Sequence, residues 1–309
     1  MSLLSKQVVV VTGKGGTGKT TAAAALGAWA ARQGKKCIVV ECNGAQHIPP
    51  LFGRQSTGYA PLPLGPNLST MSITAEEAIE DYVVQQIKVR SLYKLVFKNR
   101  IMGPFMDAVP GLHDSVHLGK VFDLIEQQRT NGAATWDMVI VDAPATGHGL
   151  HMLQSTRSMM ELTRMGPVYE GTKLVHDVLA DTNRTAIVLT CLPEHLPVSE
   201  TIELEASLRS TDYEVAAVLL NGLLSQPLPG EDEWSEHAAE LLNDACAAVQ
   251  EAAQLTARAM RRRKVEQTSL QRLLNRINAP VAGLPLILKA QLGPSEVHSL
   301  SLAIEKGLA

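Results

Sequence analysis

Two lysines, Lys14 and Lys19, stand inside a glycine-rich stretch, GKGGTGKTT, at residues 13–21. Glycines let successive backbone N–H groups turn inward around anionic oxygens, and lysine adds a point charge. The stretch fits the spacing G-x-x-x-x-G-K-[ST], which holds a nucleotide's phosphates. In that pattern the backbone of Gly15, Gly16, Thr17, Gly18, Lys19, Thr20 and Thr21 cradles the phosphates. Lys19 reaches the β- and γ-phosphates, and the Thr20 hydroxyl ligates Mg²⁺. A second Mg²⁺ group is expected from Asp142. It ends the apolar run DMVIVDA (137–143), where a carboxylate is costly unless it serves a metal or hydrogen bonds. The chemistry expected is binding of ATP or ADP with Mg²⁺.

Such a loop needs a strand before it and a helix after it. QVVVVT (7–12) precedes it and TTAAAALGAWAARQG follows, so the helix N-terminus adds its positive end to the phosphate site. Five more runs read as strands: KCIVVE (36–41), DMVIVDA, TAIVLT (185–190), EVAAVLLN (214–221) and PVAGLPL (280–286). They are β-branched runs rather than alternations, as expected for strands buried on both faces. Strand and helix in this rhythm predict a doubly wound α/β architecture with a mostly parallel sheet. Ligands bind such sheets outside the carboxyl ends of the strands. Those ends carry the unusual stretches: the glycine loop, ECNGAQH (41–47), DAPATGH (142–148) and LNG (220–222).

Two segments interrupt the rhythm within what is expected to be one domain over residues 1–309. Residues 74–130 read as an inserted set of helices, with apolar Val83, Ile87, Leu92, Leu95, Ile101, Phe105 and Met106. Residues 232–277 contain no Gly or Pro and predict one long helix or two. Leu241, Ala245, Ala248, Ala252, Leu255 and Ala259 recur there at helical spacing and predict an Ala-rich packing face.

Composition removes several function classes. Hydrophobic residues at 45% and charged residues at 19% mark a globular chain rather than a disordered one. Aromatics at 4% and a net charge of −3 argue against a nucleic-acid partner. The four cysteines, Cys37, Cys42, Cys191 and Cys246, form no C-x-x-C pair, so no zinc or iron–sulfur site within one chain is expected. Cys37 and Cys191 lie in apolar runs and read as buried thiols. The loop follows the N-terminus too closely for a signal peptide, and no apolar run approaches the ~20 residues of a membrane span. The expected location is the cytoplasm, with peripheral attachment at a membrane as the alternative. The basic run Arg261-Arg262-Arg263-Lys264 reads as a solvated helix face, or as a surface for an acidic partner or anionic membrane.

With Lys14 in place, GKGGTGKT resembles the deviant phosphate loop shared by arsenite-translocating ATPases, tail-anchored-protein-targeting ATPases, division-site placement ATPases and nitrogenase iron protein. DAPATGH is similar to the DTAPTGH motif of the arsenite and tail-anchored branch. VLTCLPEHLPVSETIELEASL (188–208), VLLNGLL (218–224) and AGLPLI (282–287) resemble three later stretches of that branch. The resemblance implies a dimer that closes face to face, with Lys14 crossing to the partner's nucleotide. It implies that Asn221 hydrogen-bonds adenine, that the loop holding Pro285 closes over the base, and that His148 is a switch residue. It also implies a hydrophobic or membrane-protein client. Residues 83–125 stand where the branch has a client groove and carry Met102, Phe105, Met106, Leu112, Val121, Phe122, Leu124 and Ile125. Packing onto the main sheet is the plainer alternative for that segment.

One departure bears on turnover. The family carries TDPAH after its second strand, and its aspartate orients the attacking water. Here the stretch is CNGAQ, with Asn43 in the aspartate's place. An amide can hydrogen-bond water but cannot take its proton, a loss worth roughly 10²–10⁴ in rate where a base is needed. Glu41 lies two residues earlier and would substitute only in a rebuilt strand end. Lys14, Lys19, Asn43 and Asp142 are thus the expected catalytic set. Three functions remain: a slow ATPase, a non-hydrolysing regulatory partner of a competent paralogue, and a surface-positioning ATPase. The dimer is a homodimer or a pair with that paralogue.

Overall fold

The computed structural model of the chain describes residues 3–42, 44, 46–55, 58–87, 111–126, 129–130, 133–211, 213–224, 231–244 and 246–308. The elements begin with β1 (Val8–Gly13), α1 (Lys19–Arg32), β2 (Cys37–Glu41), α2 (Ile48–Leu51), β3 (Leu62–Gly65), β4 (Leu68–Ser72) and α3 (Ala75–Ile87). Then come α4 (Leu112–Glu126), a small pair β5 (Arg129–Thr130) and β6 (Ala133–Ala134), β7 (Met138–Ala145), α5 (Thr146–Thr163) and α6 (Pro167–Ala180). The chain continues through β8 (Thr185–Cys191), α7 (His195–Arg209), β9 (Val215–Leu223), α8 (Glu231–Leu242), α9 (Ala247–Leu274), β10 (Val281–Pro285) and α10 (Pro294–Leu308).

Eight strands form one sheet in the order β10-β9-β8-β1-β7-β2-β4-β3. All pairs are parallel except β3 with β4. The six runs expected as strands all lie in it. Successive strand residues face opposite sides, and both sides are covered. Val8, Val10, Ile38, Val40, Val139 and Val141 pack under α4, α5, α6 and α7. Val9, Val11, Val39, Ile140 and Val188 pack under α1 and α10. This double burial is why the strands are apolar without alternating.

The edge hairpin β3–β4 escapes a reading by hydrophobic runs. Its second strand, LSTMS, is fully buried although three of its five residues are hydroxylated. The Thr70 hydroxyl donates to the Val39 carbonyl at 2.9 Å, so the polar group is satisfied inside the sheet.

The segment 232–277 forms two helices, but its packing face differs from the expected one. Ala248 and Ala252 are exposed, and Leu255 is 59% exposed; Ala245 lies outside the described residues. The buried positions of α9 are Ala253, Glu266, Ser269 and Leu273. Three of these four lie in the C-terminal half of the helix, which packs against α8 and α7, while Leu241 and Ala259 of the predicted face are only half-buried. In the inserted helical segment, Val121, Leu124 and Ile125 of α4 are buried in the main core, with Phe122 partly buried against it. For these residues packing onto the sheet is the observed role. Leu92, Leu95, Ile101, Met102, Phe105 and Met106, and the side chains of Val83 and Ile87, lie outside the described residues. Cys37, Cys42 and Cys191 are buried free thiols and Cys246 is exposed. No helix among the described residues is long and apolar enough to cross a membrane.

His117 of α4 is 8% exposed, and neither ring nitrogen has a hydrogen-bond partner among the described residues. Burial, helped by His113, pushes its pKa down to about 4. The unfolded chain takes that proton near pH 6.5, so its charged form favours unfolding as pH falls from about 6.5 to about 4. His117→Leu should flatten the acid loss of stability over this window by on the order of 3 kcal/mol. Urea unfolding of both proteins at pH 7 and pH 4.5 measures it, and parallel losses would refute the buried neutral imidazole.

Candidate functional site

The site is built where β1, β7 and β2 end together. Parallel register sets Val11 beside Asp142, and Glu41 beside Asp142. The glycine loop leaves β1 at Gly13 and enters α1 at Lys19. Gly18 takes a left-handed φ of 86° at the start of α1. A Cβ there would also collide with the Asn221 amide nitrogen, so only glycine fits.

The loop closes on itself. The Thr17 hydroxyl donates to the Lys14 carbonyl at 2.8 Å and meets the Thr190 hydroxyl at 2.7 Å. The Lys19 ammonium donates to the same Lys14 carbonyl at 3.0 Å. Burial lowers the Lys19 pKa, and Asp142 opposes that shift. Gly15 and Gly16 face solvent, while Thr20 and Thr21 are half-buried at the start of α1.

Asp142 is 6% exposed. Its Oδ2 accepts the Thr20 hydroxyl proton at 2.6 Å. Its Oδ1 is buried with no hydrogen-bond partner among the described residues. Burial pushes this carboxyl up to about 6, against the pull of Thr20 and Lys19. One carboxylate and one hydroxyl, with an oxygen left bare, suit Mg²⁺. That ion is held by one or two carboxylates plus substrate phosphates rather than by a protein cage. No cluster of three or more His, Cys, Asp or Glu able to hold a metal occurs among the described residues.

Glu41 is 1% exposed and accepts from the His47 and Ile48 N–H groups at 2.8 and 3.3 Å. Its carboxylate fastens the start of α2, and burial raises it to about 7. Both oxygens are engaged by that helix end, so the strand end is not rebuilt to free Glu41 as a base. Asn43 and the His148 side chain lie outside the described residues.

Three further placements concern sequence-predicted residues. The Lys14 ammonium pairs with Glu200 of the same chain, near the start of α7. The Asn221 amide nitrogen donates to the Thr17 carbonyl at 2.9 Å, so it touches the loop from the end of β9. Pro285 ends β10 opposite Leu223. Glu200 was not singled out from sequence as a site residue, although it opens the Glu-Thr pair of the 188–208 stretch. Within the basic run, Arg261 and Lys264 are exposed as a solvated helix face would have them, while Arg262 and Arg263 also bind the backbone at the end of β9.

A parallel sheet with a glycine-rich phosphate loop at its strand ends, and a buried aspartate beside the loop's threonine, defines the class as a P-loop nucleotide-binding ATPase. Residues 6–166 and 156–252 match the family described as anion-transporting ATPase. ATPase BagA of Mycobacterium tuberculosis is 33% identical over 238 residues, covering 72% of this chain and 67% of the relative. ATPase GET3 of Candida glabrata is 24% identical over 253 residues, covering 70% of this chain and 72% of the relative. An Aquifex aeolicus protein whose name describes it as an arsenical pump-driving ATPase is 26% identical, covering 72% and 81%. The chain belongs to the anion-transporting ATPase family.

Proposed function

We propose that this chain binds Mg-ATP and ADP at the glycine loop, hydrolyses ATP slowly, and couples nucleotide state to a protein or membrane client as a dimer. The observation that carries the reading is the Thr20–Asp142 pair, with Asp142 Oδ1 buried and without a partner among the described residues. Thr20 and Asp142 would hold Mg²⁺, which supplies charge neutralisation to the phosphates when bound. Lys19 would exchange the Lys14 carbonyl for phosphate oxygens, since charge-assisted bonds are the stronger ones. The Gly15–Thr21 backbone would receive the remaining phosphate oxygens, helped by the N-terminus of α1.

Lys14 would act across a dimer. Its present partner, Glu200, is 29% exposed and Lys14 is 36% exposed. A partly exposed ion pair contributes about 1 kcal/mol or less, and Lys14 could exchange it for a partner's nucleotide, which would leave Glu200, whose Oε2 is buried without a hydrogen-bond partner among the described residues, to be compensated. A positive charge arriving at the transferring phosphate would stabilise its developing charge. At Asn43 the amide would position water without accepting a proton. That one residue favours slow turnover and keeps a second reading in play, a regulatory partner of a competent paralogue.

Lys19→Ala should abolish detectable ATP binding in calorimetry, and unchanged affinity would refute the loop assignment. Lys14→Ala should leave ADP affinity intact while removing ATP-dependent dimerisation in light scattering. A dimer population indifferent to both ATP and Lys14 would defeat the crossed lysine. Asn43→Asp should raise turnover by about tenfold or more, equivalent to ~1.4 kcal/mol of barrier. A wild-type rate already at ordinary ATPase levels would remove the premise. An inert mutant with normal ATP affinity would favour the regulatory reading.

A further inference from the structure

The end of β9 is held by side chains of α9 that the phosphate chemistry does not use. Arg262 Nη2 donates to the Gly222 carbonyl at 2.9 Å, and Arg262 Nε donates to Glu266 Oε1 at 3.0 Å. Glu266 Oε2 accepts the Leu224 N–H at 3.1 Å. Arg263 Nη1 donates to the Leu224 carbonyl at 2.8 Å. The carbonyl between them, that of Leu223, accepts the Leu286 N–H at 2.7 Å. Strand pairing with β10 ends at Leu223–Pro285, so without α9 the Gly222 carbonyl and the Leu224 N–H and carbonyl would lose these protein partners. Glu266 is only 4% exposed. A carboxylate is tolerated at such a depth when its oxygens are paired, and here each oxygen has a partner.

What this clamp holds is the turn at Asn221–Gly222. Gly222 has a left-handed φ of 82°, a conformation that favours glycine. The Asn221 amide projects from that turn onto the Thr17 carbonyl of the phosphate loop. Leu192 and Leu286 flank Gly222, within 3.8 and 3.9 Å of where a Cβ would stand. Apolar side chains beside an amide suit a flat heterocycle with a donor and acceptor edge. An amide carries two N–H donors and a carbonyl, so one bond to Thr17 does not exhaust it.

We infer that Arg262, Arg263 and Glu266 form a positioning clamp for the nucleoside base: they fix the Asn221–Gly222 turn, and with it affinity for the purine, while phosphate affinity rests on the glycine loop. The inference rests on the nucleotide-binding reading above and assigns Arg262 and Arg263 of the basic run a role within it. Arg262 is the residue to test, because its side chain is 46% exposed and it bridges the Gly222 carbonyl to Glu266. Lysine cannot replace it, since an ammonium lacks the fork that reaches two acceptors in fixed geometry.

The test is calorimetric titration of the full chain with Mg-ATP and with Mg-tripolyphosphate, which has phosphates and no base. Arg262→Ala should weaken ATP binding about tenfold, as expected for loss of a charged hydrogen bond, and leave tripolyphosphate binding unchanged. Arg262→Lys should show the same selective loss, which separates geometry from charge. Arg261→Ala removes a neighbouring exposed charge and should change neither affinity. The clamp is overturned if Arg262→Ala leaves the ratio of the two affinities as in the wild type, whether both hold or both fall together. Full recovery with Arg262→Lys overturns it as well. Wild-type protein that binds neither ligand would defeat the nucleotide reading itself, and the clamp with it.

Discussion

Parallel pairing of β1 with β7 on one side and β8 on the other is the constraint on which the site depends. Parallel strands end at the same edge of a sheet, so Gly13, Glu41, Asp142 and Thr190 converge there by register alone. Each takes a separate task. Gly13 opens the loop, Asp142 meets Thr20, Glu41 fastens α2 and Thr190 braces Thr17. Helices on both faces remove water from the strands, and that exclusion gives the carboxylates their raised pKa values.

Burial and pairing then separate two carboxylates that stand side by side. Glu41 has both oxygens on backbone N–H groups at a helix start. Asp142 has one oxygen on a hydroxyl and one without a partner among the described residues. The first arrangement is complete without a ligand, and the second suits a cation. Lys19 and Asn221 also have protein partners, each on a carbonyl of the loop. These are neutral acceptors that a phosphate can replace for Lys19, so the loop keeps its shape without forfeiting its charge.

The two cationic segments, the glycine loop and the Arg261–Lys264 run, have opposite settings. Lys14 sits in a single, partly exposed ion pair with Glu200, the kind that contributes about 1 kcal/mol or less. Arg262 and Arg263 are tied to backbone carbonyls around a buried glutamate, where removing a partner strands a charge. The first suits a group that moves and the second a group that holds a turn in place.

Strand positions, the loop, and the placement of Lys19, Thr20 and Asp142 at the carboxyl edge of the sheet were legible in the sequence because each is written in neighbouring residues. Hydrophobic runs mark strands, and the loop's spacing is covalent. The edge hairpin was not legible, since LSTMS is buried through a cross-strand hydroxyl bond rather than through apolar side chains. The Ala-rich stripe of α9 had the right period, but period alone does not say which face meets a partner, and the buried residues are Ala253, Glu266, Ser269 and Leu273. Likewise Lys14 and Glu200 are 186 residues apart, and Arg262 is 40 from Gly222. Local spacing told that the chain has a phosphate loop at the end of a parallel sheet. Which charges neighbour that loop was decided only by tertiary structure, because such contacts depend on strand order and helix docking, and neither is encoded in any short stretch of chain.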